Sequence, residues 1–115
     1  MTTALLQQTC IPCHGNVPPV TASEITELLA EIPKWSMIKQ NGEPRLQRVY
    51  QFKDFKTALA FTQQVGEIAE AEGHHPTILT EWGQVSVTWW THAIHNLHRN
   101  DFIMAAKTDA IASAD

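Results

Sequence analysis

The sequence predicts an α+β domain: one four-stranded antiparallel sheet with helices packed on one face, in the order α-β-β-α-β-β-α. Three observations carry that prediction. Two stretches of strand-like residues fold back at Asn41-Gly42 and at Trp82-Gly83. A long amphipathic segment, opened by Asp54 and closed by Gly73, separates them. Shorter helical patterns flank the set at either end. No repeat long enough for a solenoid occurs, and the two hairpin–helix halves are at most a loose pseudo-duplication.

Residues 1–20 read as an irregular N-terminal arm, punctuated by Gly15, Pro18 and Pro19, and residues 21–115 as the domain. Ser23 is the expected cap of the first helix, with Glu24 in its first turn, Ile25, Leu28 and Leu29 on one face, and Pro33 as its stop. Trp35 to Gln40 reads as a short strand. Asn41-Gly42 follows, a turn pair in which both residues tolerate positive φ. Leu46 to Phe52 is the expected return strand, with Leu46, Tyr50 and Phe52 on one face and Gln47 and Gln51 on the other.

Asp54 is the expected cap of the longest helix, which runs to about Glu72. Its apolar stripe reads as Phe55, Ala58, Leu59, Thr62, Val65 and Ala69, widened by Phe61 and Ile68. Gly73 stands where a left-handed residue ends a helix, and Pro76 forces an extended path beyond it. Thr77 to Glu81 and Gln84 to Trp90 form the second hairpin, and Val85, Val87 and Trp89 alternate with Ser86, Thr88 and Trp90. Asp101 to about Ala112 is the last helix, carrying Phe102, Ile103, Ala106 and Ala110.

With 115 residues, 8 Lys plus Arg and 12 Asp plus Glu, the chain is one small domain of formal charge -4. A chain of this length buries about two-thirds of its unfolded surface, so self-association is a plausible extra source of stability. The acidic balance gives no field for a phosphate backbone, which argues against direct nucleic-acid binding. No apolar run approaches the ~20 residues of a membrane span, and Met1 to Gln8 has no secretory pattern. The cytoplasm is the expected compartment.

Cys10-Ile11-Pro12-Cys13-His14 has the C-x-x-C-H spacing of covalent haem attachment. That reading goes with export, for which no signal is seen. Half of a zinc site, with two thiolates and His14, ranks above it. Reduced thiols on an arm rank above both.

The chemistry concentrates in the histidines, five of which lie between 74 and 98. Glu70 lies four residues before His74, so its carboxylate belongs to the last helical turn beside His74-His75-Pro76. On its own, such a pair can equally be a solvated residue and a helix-end cap. Trp90-Thr91-His92 ends the last strand, a common place for a functional residue on a rigid scaffold. Asp101 can orient an imidazole or simply open a helix. Trp35, Tyr50, Phe52, Trp82, Trp89 and Trp90 read mainly as core aromatics, any one of which beside a polar cluster could stack on a planar heterocycle. His95 and His98 read as surface residues.

Together these pieces resemble the pterin-4a-carbinolamine dehydratase family. The pattern is Glu70-x-x-x-His74-His75-Pro76, His92 sixteen residues after Pro76, and Asp101 nine beyond that. Phe52-Lys53-Asp54-Phe55, Trp35 after Pro33, and the arm from Cys10 to Pro19 fit as well, so the likeness spans roughly residues 10 to 110. The resemblance implies a dimer or tetramer that takes water from a 4a-hydroxy-tetrahydropterin to give the quinonoid dihydropterin, with no metal or organic cofactor. It implies His74, His75 and His92 as the catalytic set. Glu70, Pro76, Thr91, Ala93, Ile94, Trp35 and Asp101 would bind substrate or line the site. In the expected division of labour, His74 and His92 exchange protons with the leaving hydroxyl and N5, and His75 orients the hydroxyl-bearing edge. Two positions depart from the family pattern. Gly73 replaces a frequently charged residue, and His98 replaces a Ser or Thr cap, which should weaken the last helix by about 1 kcal/mol. Two rival classes stay open. One is a binding module, since some relatives stabilise a transcription-factor dimer or assist assembly of a carbon-fixing enzyme. The other is a zinc enzyme using the three histidines.

Overall fold

The computed structural model describes residues 4–11 and 18–114. Cys13 and His14, on which the haem and zinc readings of the arm depend, lie outside them. The described chain runs through α1 (Ala22–Leu29), β1 (Ser36–Gln40), β2 (Glu43–Gln51), α2 (Phe55–Glu72), β3 (Thr77–Glu81), β4 (Gln84–Trp89) and α3 (Arg99–Ala114), in the order the sequence predicts. The strands form one antiparallel sheet of order β1-β2-β4-β3.

Turn chemistry fixes the first hairpin: Asn41 and Gly42 both take positive φ, at 54° and 78°, the twist that two-residue hairpins need. β2 begins at Glu43, earlier than Leu46, because Pro44 pairs only with β1, where Lys39 faces it. The β2–β4 ladder starts at Leu46↔Trp89, so no bond to β4 is lost at the proline. From there Leu46, Arg48 and Tyr50 face the helices, opposite Trp89, Val87 and Val85.

The core lies between that sheet face and the helices. Leu46, Val85, Val87 and Trp89 meet Phe61 and Val65 of α2 and Phe102 and Met104 of α3, all buried. On α2 the buried stripe is Ala58, Phe61, Val65 and Ala69, and the expected stripe is corrected at two places, since Phe55 and Leu59 are about half exposed. A helix whose apolar residues cover more than one face leaves the choice of buried face to the sheet it meets. The cap of α1 is also corrected. Thr21, not Ser23, accepts the backbone N–H of Glu24, while the Glu24 carboxylate accepts that of Thr21. This reciprocal box satisfies two donors that a helix start otherwise leaves open. The helix ends at Leu29, ahead of Pro33.

The arm is less irregular than predicted. Leu5–Gln7 form a 3-10 turn, and Leu5 is part of the core. Asn100 in α3 holds Ile11 at both backbone groups, and Glu72 at the end of α2 accepts the Cys10 N–H. Away from the histidines, Asp109 collects hydrogen bonds from the Trp35 indole (2.9 Å), the Arg48 guanidinium (2.6 Å) and the Tyr50 hydroxyl. Burial, reinforced by the Asp109 carboxylate, pushes the Tyr50 hydroxyl well above its ordinary range. Among the described residues no helix is long and apolar enough to cross a membrane.

Candidate active site

Two chain reversals build the site. The first ends α2. Gly73 takes φ 66°, its N–H bonds the Glu70 carbonyl, and the His74 N–H reaches back to that of Ala69. This is the full two-bond helix stop that a glycine in the left-handed region permits. It sends consecutive imidazoles different ways: His74 is 4% exposed and turned inward, while His75 stays outside. The second reversal follows β4. Thr91 and Asn96 pair backbone to backbone across the 3-10 turn His92–Ile94, closed by His95 at φ 51°. That small closed loop presents His92 and Ala93 at the surface. Gly73, His74, His75, His92 and Ala93 together line one open cleft of about 390 Å³, within the size range of small-molecule sites.

A carboxylate stands behind each histidine on the α2 side. Asp101, fully buried, meets His74 Nε2 at 2.6 Å through Oδ1, and accepts the Thr91 hydroxyl and the His98 N–H through Oδ2, each at 2.9 Å. An ionised carboxylate only accepts, so Nε2 of His74 carries the proton in this pair. The His74 ring also stacks on Trp89, 5.8 Å between centroids and 7° from parallel. The outer pair, His75 Nε2 and Glu70 Oε1, is also 2.6 Å apart, with side chains 61% and 79% exposed. At that exposure the pair orients more than it stabilises. His92 has no carboxylate partner among the described residues; its ring leans on Trp90 at 4.2 Å.

The remaining expected site residues divide by burial. Pro76 and Ile94 are half-buried beside the two reversals. Thr91 and Asp101 are fully buried and reach the cleft only through His74. Trp35 stands apart from the cleft, buried against Tyr50 and Asp109. Among the described residues no group of three His, Cys, Asp or Glu side chains is arranged to hold a metal ion.

His98 corrects the sequence reading twice. It is buried, not on the surface, and it caps α3: its Nδ1 accepts the Asn100 N–H at 3.1 Å while Asp101 returns the bond to its own N–H. The helix therefore starts at Arg99, two residues before Asp101. Burial lowers the His98 pKa, the nearby Asp101 charge opposing it. A ring whose Nδ1 accepts must lose that bond when the nitrogen protonates. Because the folded pKa lies below the unfolded one, the stability this cap adds is fully present above about pH 6.5 and is lost as pH falls through the folded value. The melting temperature should accordingly drop more steeply between pH 7 and pH 5 for the wild type than for His98→Ser, whose hydroxyl caps without titrating. Parallel pH curves would show that the cap does not titrate.

Three residues near the cleft, Arg45, Trp89 and Trp90, were not singled out as site candidates in the sequence. Arg45 lies over Trp90, which itself carries His92, and Trp89 carries His74. The signal available was the tandem Trp89-Trp90, whose rings must point to opposite faces of a strand.

The arrangement defines a class: a cleft lined by imidazoles, two of them backed by carboxylates, on an α+β scaffold. A family model described as pterin 4 alpha carbinolamine dehydratase matches residues 18–111, and the chain belongs to that family. A protein of Gloeobacter violaceus, provisionally named pterin-4-alpha-carbinolamine dehydratase 1, is 59% identical over 109 residues, 95% of this chain and 94% of that one. A provisionally named pterin-4-alpha-carbinolamine dehydratase of Microcystis aeruginosa is 57% identical over the same shares of the two chains. Among solved structures, a transcriptional coactivator/pterin dehydratase from Brucella melitensis superposes with a TM-score of 0.75 at 35% identity, covering 83% of this chain and 99% of its own. A pterin dehydratase-like protein described as a RuBisCO assembly factor of the alpha-carboxysome matches at TM-score 0.56 and 26% identity, over 67% of this chain and 89% of its own.

Proposed function

We propose that the chain dehydrates a 4a-hydroxy-tetrahydropterin to the quinonoid dihydropterin by histidine acid–base catalysis. The observation that carries this reading is the shared cleft: His74, His75 and His92, from two separate chain reversals, line one opening. The reaction breaks the C4a–O bond and the N5–H bond, so it needs an acid at the hydroxyl and a base at N5. Imidazole serves as either near neutral pH. A carboxylate behind an imidazole fixes its tautomer and favours the imidazolium formed when it takes up a proton. On that ground the carboxylate-backed wall of His74 and His75 receives the N5 proton. His92, across the cleft, protonates the departing hydroxyl, which leaves as water. Glu70 orients His75, and Asp101, held by Thr91 and the His98 N–H, orients His74.

A tetrahydrobiopterin-type substrate and an assembly of two or four copies complete the proposal, both resting on family membership. The solved relative described as an assembly factor favours a second reading, a binding role on the same fold. The three histidines and the carboxylates behind His74 and His75 have no evident use in such a role. The test is direct: freshly generated 4a-hydroxypterin is mixed with the purified protein, and quinonoid product is followed with and without chelator. Formation above the spontaneous rate, indifferent to chelator, is expected. A folded protein that leaves the spontaneous rate unchanged would favour the binding role, and a rate abolished by chelator would favour a metal enzyme.

A further inference from the structure

Consecutive strand residues point to opposite faces of a sheet, and the end of β4 uses that rule twice. Trp89 faces the helices and carries His74 on its ring; Trp90 faces the other way and carries His92. His74, from the end of α2, and His92, from the turn after β4, therefore each rest on a tryptophan of their own. Trp89 is fixed by the core and by an indole N–H bond to Thr108. Trp90 is also a buried member of the core. On its ring lies Arg45, one step beyond the last ladder pair Leu46↔Trp89, with the guanidinium carbon 3.9 Å from the indole centroid.

That guanidinium is held in an unusual way. Arg45 is 9% exposed, and Trp90 7%. One terminal nitrogen donates to the Gln40 side chain at 3.1 Å, and the other lies 3.7 Å from the Glu43 carboxylate. Nε is buried with no partner among the described residues. Burying a charged group with a donor left unsatisfied opposes folding, so the arrangement is not one that stability alone selects. A flat cation laid on an indole face is, however, a good way to hold that ring at one angle, since guanidinium stacks where ammonium does not.

We propose that Arg45 and Trp90 are positioning residues for His92: the guanidinium clamps the Trp90 ring, and the clamped ring sets where the His92 imidazole stands in the cleft. The proposal rests on the dehydratase reading for its effect on rate, but not for its effect on geometry. The His92 imidazole has no hydrogen-bonded partner among the described residues and sits on a short surface turn. Among the described residues, Trp90 supplies the ring contact that restrains it there. Glu43 also reaches His95 at 3.4 Å, which ties the far end of the same turn to the strand that carries Arg45.

The experiment compares Arg45→Met, Arg45→Lys and Trp90→Phe with the wild type in the full chain. Three readouts are taken: melting temperature, kcat and KM for a 4a-hydroxy-tetrahydropterin, and the proton shifts of the His92 imidazole, which the Trp90 ring current displaces. Arg45→Met should lower kcat by roughly 10- to 100-fold, the scale set by misplacing a reacting group by about 1 Å, with KM unchanged. It should also move the His92 ring protons back toward the values of an unstacked imidazole. Arg45→Lys should recover only part of either effect, because its ammonium does not stack flat. A variant that melts lower yet keeps the wild-type kcat, or one whose His92 shifts stay in place, overturns the clamp. If Arg45→Met does not fold, Trp90→Phe gives the same two answers with a ring retained. Should the wild type itself show no dehydration, the dehydratase reading fails on its own, and the His92 shifts still decide the clamp.

Discussion

Asp101→Asn should lower kcat for pterin dehydration by about 10²–10⁴-fold, the range associated with losing a general acid–base group, even though Asp101 is fully buried behind His74. The carboxylate is fully buried and accepts three donors: His74 Nε2, the Thr91 hydroxyl and the His98 N–H. An amide keeps one accepting oxygen and turns an NH2 toward a donor. If the NH2 faces His74, the imidazole must move its proton to Nδ1, and the tautomer set by the carboxylate is lost. If it faces Thr91 and His98, the cap of α3 loses its return bond. Either way a buried pair is broken from one side, which costs about 3–5 kcal/mol of folding stability. Unfolding by denaturant measures the stability and steady-state kinetics below the melting transition measure the rate. A wild-type kcat in Asp101→Asn would show that His74 needs no partner to work. A loss of stability alone would leave Asp101 as a structural residue at the start of α3.

His92→Ala and His75→Ala should each cost about 10²–10⁴-fold in kcat while leaving stability within about 0.5 kcal/mol, as exposed side chains outside the core usually do. Both imidazoles are exposed, and neither carries part of the core. The contrast with Asp101→Asn is the point of the pair: the same rate loss, with stability falling in one case and not in the other. The spontaneous dehydration of the substrate sets the floor and is subtracted in every assay. His92→Ala should leave KM near its wild-type value if the group acts only on the departing hydroxyl in the transition state. A rise in KM with kcat intact would instead make His92 a binding group, and two unchanged rates would end acid–base catalysis by these residues.

Local signals in the sequence sufficed for some elements. α2 runs from Phe55 to Glu72, between the cap at Asp54 and the left-handed Gly73, because both ends depend on a few adjacent residues. The same holds for the Asn41-Gly42 hairpin, where backbone sterics alone favour the turn. Where two residues offered the same local chemistry, as Thr21 and Ser23 do, the sequence could not rank them. The capping box with Glu24 chose Thr21.

The candidate site divides along the same line. The sequence by itself determined the ingredients: Glu70 one turn before His74, the Gly73 stop that parts His74 from His75, and His92 at the end of β4. Those are consequences of helical pitch, backbone φ and strand alternation, which act over a few residues. Only the tertiary structure decided which of those groups are buried, which share a cleft and which partner each meets. Asp101 read as either a helix-start residue or an imidazole's partner, and folding made it both, since α3 lays its first turn against the α2 stop. His98 read as a surface residue until the same packing buried it as a cap. Arg45 carried no signal at all, because its role depends on a tryptophan 45 residues away in the chain that the antiparallel register sets directly opposite it. Proximity of that kind is fixed by the pairing of distant segments.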